Sequence, residues 1–154
     1  MIRTRVVTAA DKELLLQLFA ESRKQELAAF SWTKEEEDAF IHMQYNLQQR
    51  SYATRYSSSK HLMILQETTP VGHIHTAEEE NSIRLLDISI LQSYRNCGIG
   101  NQVIQALKEE AATMHASILL HVYFTNPAKE FYARRGFTVT HFDGVYYTME
   151  WQGR

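Results

Sequence analysis

Arg95-Asn96-Cys97-Gly98-Ile99-Gly100 lies between an apolar run, Leu85 to Leu91, and an amphipathic stretch that begins near Gly98. A strand, a short glycine-containing loop and a helix in that order build an anion site. The two glycines let the backbone approach a ligand closely, and the first N–H groups of the helix have no partner within it. They point outward with the positive end of the helix dipole behind them, and Arg95 adds a charge beside them. The loop suits a phosphate-bearing ligand.

Two familiar phosphate loops do not fit. A mononucleotide P-loop ends in Lys-Ser or Lys-Thr, and neither follows Gly100. A dinucleotide fingerprint needs a small residue where Val103 stands. The segment resembles instead the Arg/Gln-x-x-Gly-x-Gly/Ala pyrophosphate loop of the GNAT N-acetyltransferase superfamily. A second stretch, Asn126-Pro127-Ala128-Lys129-Glu130-Phe131-Tyr132-Ala133-Arg134-Arg135-Gly136-Phe137, is similar to a later motif of that superfamily: an Asn, a short helix with Phe/Leu-Tyr, then Gly-Phe. One helix and one strand separate the two, as in that superfamily. The resemblance covers nearly the whole chain and is weakest over residues 20–56. Asn96-Cys97 departs from it, because relatives often carry Gly and a basic residue there.

The composition fits this resemblance. At 154 residues the chain is read as a single domain, 1–154, long enough to bury one substantial core. A net charge of −2 with charges spread throughout points to neither a nucleic-acid groove nor a membrane-surface helix. No apolar stretch is long enough to span a bilayer, and Met1-Ile2-Arg3-Thr4-Arg5 lacks the apolar core of a secretory signal. The single cysteine, Cys97, excludes an internal disulfide and suits a reducing compartment, so a cytoplasmic location is expected.

Patterning gives the element order. Ile2 to Val7 reads as a strand. Thr8-x-x-Asp11 opens a helix with Leu14, Leu15, Leu18 and Phe19 on its apolar face, and Thr33-x-x-Glu36 opens a longer one through Phe40, Met43, Leu47 and Tyr52. His61 to Gln66 and Val71 to Thr76 read as strands joined by a turn at Thr69-Pro70, and Ser82 to Leu91 as a third. After the glycine loop, Ile99, Val103, Ile104, Leu107, Ala111 and Met114 trace one helix face. Ile118 to Phe124 is a buried strand, and Asn126-Pro127 caps a short helix that Gly136 ends. Val139 to Phe142 and Val145 to Trp151 form a hairpin around Asp143-Gly144. The order βααβββαβαββ, an α/β fold with a mixed sheet and helices on both faces, is that of the GNAT acyl-CoA N-acyltransferase fold.

The resemblance implies an enzyme that moves an acetyl group from acetyl-CoA to a primary amine of a small molecule or peptide, directly within a ternary complex. By the same resemblance Arg95, Asn96, Cys97, Gly98, Ile99 and Gly100 hold the pyrophosphate. Ile88, Ser89 and Ile90 pair through their backbone with the pantetheine arm, and the Ile90 N–H faces the thioester carbonyl. Tyr132 protonates the departing sulfur, a role suited to a phenol that stays protonated at neutral pH. Asn126 either contacts CoA or only caps its helix.

The general base is open between His121, whose imidazole has an unperturbed pKa of about 6.5, Asp87 on the neighbouring strand, and a water chain with no essential side chain, as in many members of the superfamily. Cys97, close to a helix N-terminus where thiol pKa values fall, lies too far from the thioester to be a nucleophile. His73-x-His75 invites a metal reading, but no further ligand stands at a recognisable spacing, so no metal is expected and a solvated or substrate-lining strand face is preferred. Glu21, Glu26, Trp32 and Glu35 to Glu37 make the acceptor side acidic, suited to a cationic amine or simply to a solvated face. Rival readings are a catalytically silent acyl-CoA-binding or interaction module, or an enzyme that uses another acyl-CoA or acylates a hydroxyl. A homodimer is allowed, as small members often dimerise, but no exposed stripe demands one.

Overall fold

A computed structural model describes residues 1–153, the side chain of Gln25 excepted. The elements are β1 (Ile2–Val6), α1 (Lys12–Leu27) after a single 3-10 turn (Ala9–Asp11), α2 (Lys34–Arg55), β2 (Ser59–Gln66), β3 (Thr69–Glu78), β4 (Ser82–Ile90), α3 (Ile99–Thr113), β5 (Ser117–Tyr123), α4 (Ala128–Arg134), β6 (Thr138–Phe142) and β7 (Tyr146–Trp151). The expected order βααβββαβαββ is therefore the observed one. The strands form one mixed sheet in the order β1-β2-β3-β4-β5-β7-β6, parallel only between β4 and β5. None of the helices is long and apolar enough to cross a membrane, among the described residues.

Two apolar layers sandwich this sheet. On one face, Ile99, Val103, Ile104, Leu107 and Ala111 of α3 pack with Tyr132 and Phe137 onto Ile64, Ile74, Ile83, Leu85, Ile118 and Leu120. On the other, Leu15, Leu18 and Phe19 of α1 meet Ile41 and Tyr45 of α2 over Met63. Burying such side chains contributes about 1.5–3 kcal/mol each, which fixes both layers to the strands between them.

Local signals set most boundaries. Thr33 accepts the Glu36 N–H at 3.1 Å while Glu36 accepts the Thr33 N–H at 2.9 Å, a reciprocal cap that starts α2. Asp11 accepts the Thr8 N–H at 2.8 Å and is paired with Arg5, which fixes the entry to α1. Asp143 Oδ1 accepts the N–H groups of Val145 and Tyr146, and Gly144 adopts φ +98° between β6 and β7.

Three expectations change. The β2–β3 turn is at Glu67-Thr68, with Glu67 at φ +56°, and Thr69 and Pro70 already belong to β3. Pro70 is tolerated there because β4 pairs with β3 only from Gly72 onward, so no ladder on that side needs its missing N–H. On α2 the sheet takes the stripe Ile41, Tyr45 and Tyr52, and leaves Met43 49% and Leu47 51% exposed. Tyr52, expected with Met43 and Leu47, lies on the sheet side, where its hydroxyl donates to the Leu86 carbonyl at 3.1 Å. Met114 lies one residue beyond α3 and is exposed, not part of its apolar face.

Candidate active site

The strand pairing creates the opening. β4 and β5 run side by side only from Ser82/Ser117 to Leu85/Leu120, and beyond that they separate. At the same point the β3–β4 register shifts: His75 faces Asp87 but Thr76 faces Leu85, so Leu86 is an extra residue in β4. A bulge bends its strand and reverses which residues face each side. Ile83 and Leu85 lie on the α3 face before it, and Ile88 and Ile90 lie there after it. Asp87 and Ser89 are thereby turned to the opposite face.

Beyond the bulge, the backbone of β4 alternates between its neighbour and the gap. Leu91 donates its N–H to Val71 O at 2.8 Å, so the main-chain groups of Ile90 and Ile88 point away from β3 into the gap. Gly72 permits the close approach of β3 to β4 here, since a Cβ on it would fall 2.4 Å from Ser89 O. A groove of about 1100 Å³ follows this free edge, lined by Ile88, Ser89 and Ile90 and then by the loop before α3.

At that loop Asn96 and Gly98 take φ +63° and +82°, which turns successive N–H groups to one side. The first N–H to close α3 is that of Gln102, on Gly98 O, so Ile99, Gly100 and Asn101 have no acceptor within the helix. Arg95, Asn96, Gly98, Ile99 and Gly100 all line the groove; Cys97 is exposed outside it, with Sγ 3.4 Å from Arg95 O. Arg95 is tied down by donating Nε–H to Ile90 O at 2.9 Å. A Cβ on Gly100 would sit 3.4 Å from Phe131, so the glycine keeps α3 close to α4.

At its inner end the groove meets a small cavity of about 120 Å³, lined by Leu86, Asp87, His121, Asn126 and Tyr132 among others. Ile88, Asn126, Ala128 and Tyr132 border both spaces. The three candidate acid–base residues are thus brought to one place. Burial, and then the charge of Asp87, hold the Tyr132 phenol well above its ordinary range, so it stays protonated. Burial alone would raise the Asp87 carboxyl. The hydrogen bond and charge of His73, 3.1 Å away, outweigh it and keep Asp87 below the usual carboxylate range. Burial and then Arg84 lower His121, which is neutral at pH 7. Asn126 Oδ1 accepts the Ala128 N–H at 2.9 Å, so its carbonyl caps α4 while the residue borders both spaces.

Several features were not visible in the sequence. Glu21, grouped there with the acids of the acceptor side, instead accepts the Gln92 N–H at 2.9 Å and lies 3.8 Å from Arg95, beside the loop. His73 and His75 are buried, not a solvated or substrate-lining face, because α1 and α2 cover that side of β3. Among the described residues no group of three or more His, Cys, Asp or Glu could hold a metal ion. Arg135, stacked 3.7 Å over Phe131 and donating to Asn101, also lines the groove; only the basic pair Arg134-Arg135 hinted at it.

Comparison with known proteins follows the same outline. The sequence matches the family model "Acetyltransferase (GNAT) domain" over residues 23–147. No curated protein matches it. Among solved structures it is similar to the PaiA N-acetyltransferase of Thermoplasma acidophilum in complex with coenzyme A, at a TM-score of 0.75 and 21% identity over 99% of each chain. It is also similar to an acetyltransferase of Thermus thermophilus, at 0.69 and 18% over 97% of this chain and 96% of that one. The ribosomal-protein-S18-alanine N-acetyltransferase of Escherichia coli aligns at 0.61 and 16%, over 97% and 91%. These likenesses carry the fold, and the family match spans well over half of the sequence: the chain belongs to the GNAT family of acetyltransferases.

Proposed function

We propose that this enzyme transfers an acetyl group from acetyl-CoA to a primary amine of a small molecule or peptide, directly and without an acetyl-enzyme. The observation that carries this reading is the gap between β4 and β5. Its free main-chain edge at Ile88 and Ile90 leads from the Gly98–Gly100 loop to Asp87 and Tyr132. A pantetheine arm fits such an edge as an added strand, with a pyrophosphate on the N–H groups at one end and a thioester at the other. The coenzyme A complex of the Thermoplasma acidophilum relative supports the same ligand class.

The chemistry then divides between two side chains. Asp87, ionised beside His73, takes one proton from the acceptor ammonium, and the freed lone pair forms the C–N bond at the thioester carbonyl. The Ile90 N–H stabilises the resulting oxyanion. As the C–S bond breaks, its electron pair leaves on sulfur. The Tyr132 hydroxyl protonates that thiolate and recovers a proton from the nitrogen. Two protons leave nitrogen: one ends on the thiol and one passes from Asp87 to solvent. His121 is the alternative base, favoured by its place on the same cavity and its neutral state.

Calorimetric titration with acetyl-CoA, alongside CoA, ATP and NAD, tests the first half. Micromolar acetyl-CoA binding that Gly98→Val abolishes is the expected result, since Gly98 has φ +82°. No binding of either CoA species would hand the fold to the silent-module reading. A panel of polyamine, aminoglycoside, amino-acid and peptide acceptors, read by thiol release, tests the second half.

A further inference from the structure

The register of β2, β3 and β4 lines up a row of polar side chains beneath α1 and α2. His61 faces His75, His73 faces Ser89, and His75 faces Asp87. Across the strands the row closes into a chain: Asp87 Oδ2 lies 3.1 Å from His73 Nε2, and His73 Nδ1 lies 2.9 Å from His61 Nε2. Ser89 Oγ also stands 2.9 Å from His73 Nε2. His73 is 6% exposed and out of reach of any ligand, whereas the Asp87 side chain keeps 34% exposure and lines the cavity beside Tyr132.

Donor and acceptor chemistry constrains this chain at the carboxylate end. An ionised carboxylate only accepts, so in the contact with Asp87 it is His73 Nε2 that donates, a hydrogen it shares with Ser89 Oγ at 2.9 Å. Behind it, His73 Nδ1 and His61 Nε2 share one hydrogen between them. His61 in turn is held by stacking on His75, with ring centroids 4.2 Å apart at 8°.

We propose that His73, locked from behind by His61, is the positioning residue of amine deprotonation: it clamps Asp87 through Oδ2 and presents the ionised carboxylate to the cavity. This rests on Asp87 being the base, as read above. The arrangement parallels a nucleophile–base–orienter triad with the order changed, the carboxylate acting on substrate and the imidazole orienting it. It also gives the buried His73 a role in the reaction. The titratable and charged groups around it are Asp87 of β4, His61 of β2, His75 of β3 itself, Tyr45 and Tyr52 of α2, Arg23 of α1 and, toward His61, Asp11. Only His73 donates a side-chain hydrogen bond to Asp87 among the described residues.

The test is the pH profile of kcat/KM with the best acceptor from the panel, together with imidazole tautomers from long-range nitrogen–proton spectra. His73→Leu is expected to move the acidic limb upward by about one pH unit or more, and His73→Gln, whose amide still donates, by less. His61→Phe, at the less buried end, is expected to shift the limb in the same direction and serves if His73→Leu does not fold. At about pH 8 His73 should carry a hydrogen on Nε2. An unmoved limb in His61→Phe or in folded His73→Leu, or a His73 that carries no hydrogen on Nε2, overturns the inference while a dead Asp87→Asn enzyme leaves the base assignment standing. Full turnover with an unshifted limb in Asp87→Asn removes the base assignment itself, and the clamp with it.

Discussion

Glu21 of α1 accepts the backbone N–H of Gln92 at 2.9 Å, across seventy-one residues of chain, just before the loop that lines the groove. The same carboxylate stands 3.8 Å from Arg95. One acid from the first helix thus holds the loop at its entry. Glu21→Ala is expected to weaken acetyl-CoA binding about 5- to 30-fold, the equivalent of about 1–2 kcal/mol for a lost charge-assisted bond. Glu21→Gln, which still accepts, should lose less. Calorimetric Kd values check both; unchanged affinity in Glu21→Ala would separate the loop's position from its tie to α1.

Gly72 lies where a Cβ would meet Ser89 O at 2.4 Å and the Ile90 side chain at 2.8 Å. Gly72→Ala must push β4 off β3 just where β4 leaves β5. A loss of about 2–3 kcal/mol in unfolding free energy is expected from that overpacking, accompanied by weaker acetyl-CoA binding. Urea denaturation and titration of the same sample read the two effects. A stable variant with native affinity would contradict the close approach.

Tyr132 is buried, held protonated by its surroundings, and shared between the groove and the small cavity. Tyr132→Phe keeps the packing against Phe131 and Phe137 and removes only the hydroxyl. The expected outcome is a fall in kcat of about 100-fold or more, with acetyl-CoA affinity and melting temperature nearly unchanged. Unaltered turnover would transfer the acid role elsewhere.

Burial, helped by the neighbouring imidazoles, depresses His61 to about 3 and His75 to about 4. The unfolded imidazole titrates near 6.5, so below that value the unfolded chain binds more protons. Stability is therefore full above about pH 6.5 and falls as pH drops toward the folded values, by up to about 1.4 kcal/mol per pH unit for each ring. Urea midpoints between about pH 7 and 5 should show this slope, and His75→Phe should roughly halve it. Asp11 contributes in a different window. The Arg5 hydrogen bonds lower it to about 2, so its stabilisation is lost only as pH falls from about 4 through 2.

What the sequence revealed depends on how far each signal reaches. The glycine loop, the Thr33–Glu36 cap and the α3 stripe are local patterns, and each appears where it was expected. Helix α2 carries two apolar stripes, and the one that faces the sheet packs against α1 and Met63 and reaches a carbonyl thirty-four residues away, at Leu86, contacts that no local pattern displays. The burial of His73 and His75 depends on cross-strand register, and the bulge at Leu86 that puts Asp87 beside them has no marker in composition. Glu21 looked like any other surface acid until the packing of α1 placed it against the Gln92 backbone.

The extra residue at Leu86 has a consequence for how such an enzyme changes over generations. Past the bulge, β4 turns its main-chain groups at Ile88 and Ile90 into the gap and the side chains of Asp87 and Ser89 to the opposite face. Main-chain recognition is indifferent to most substitutions, whereas side-chain recognition responds to each one. With the acyl donor on that edge, as proposed, lineages built on this strand could exchange one acceptor for another by altering alternate residues while the donor stays the same, provided that no insertion or deletion shifts the strand by one residue.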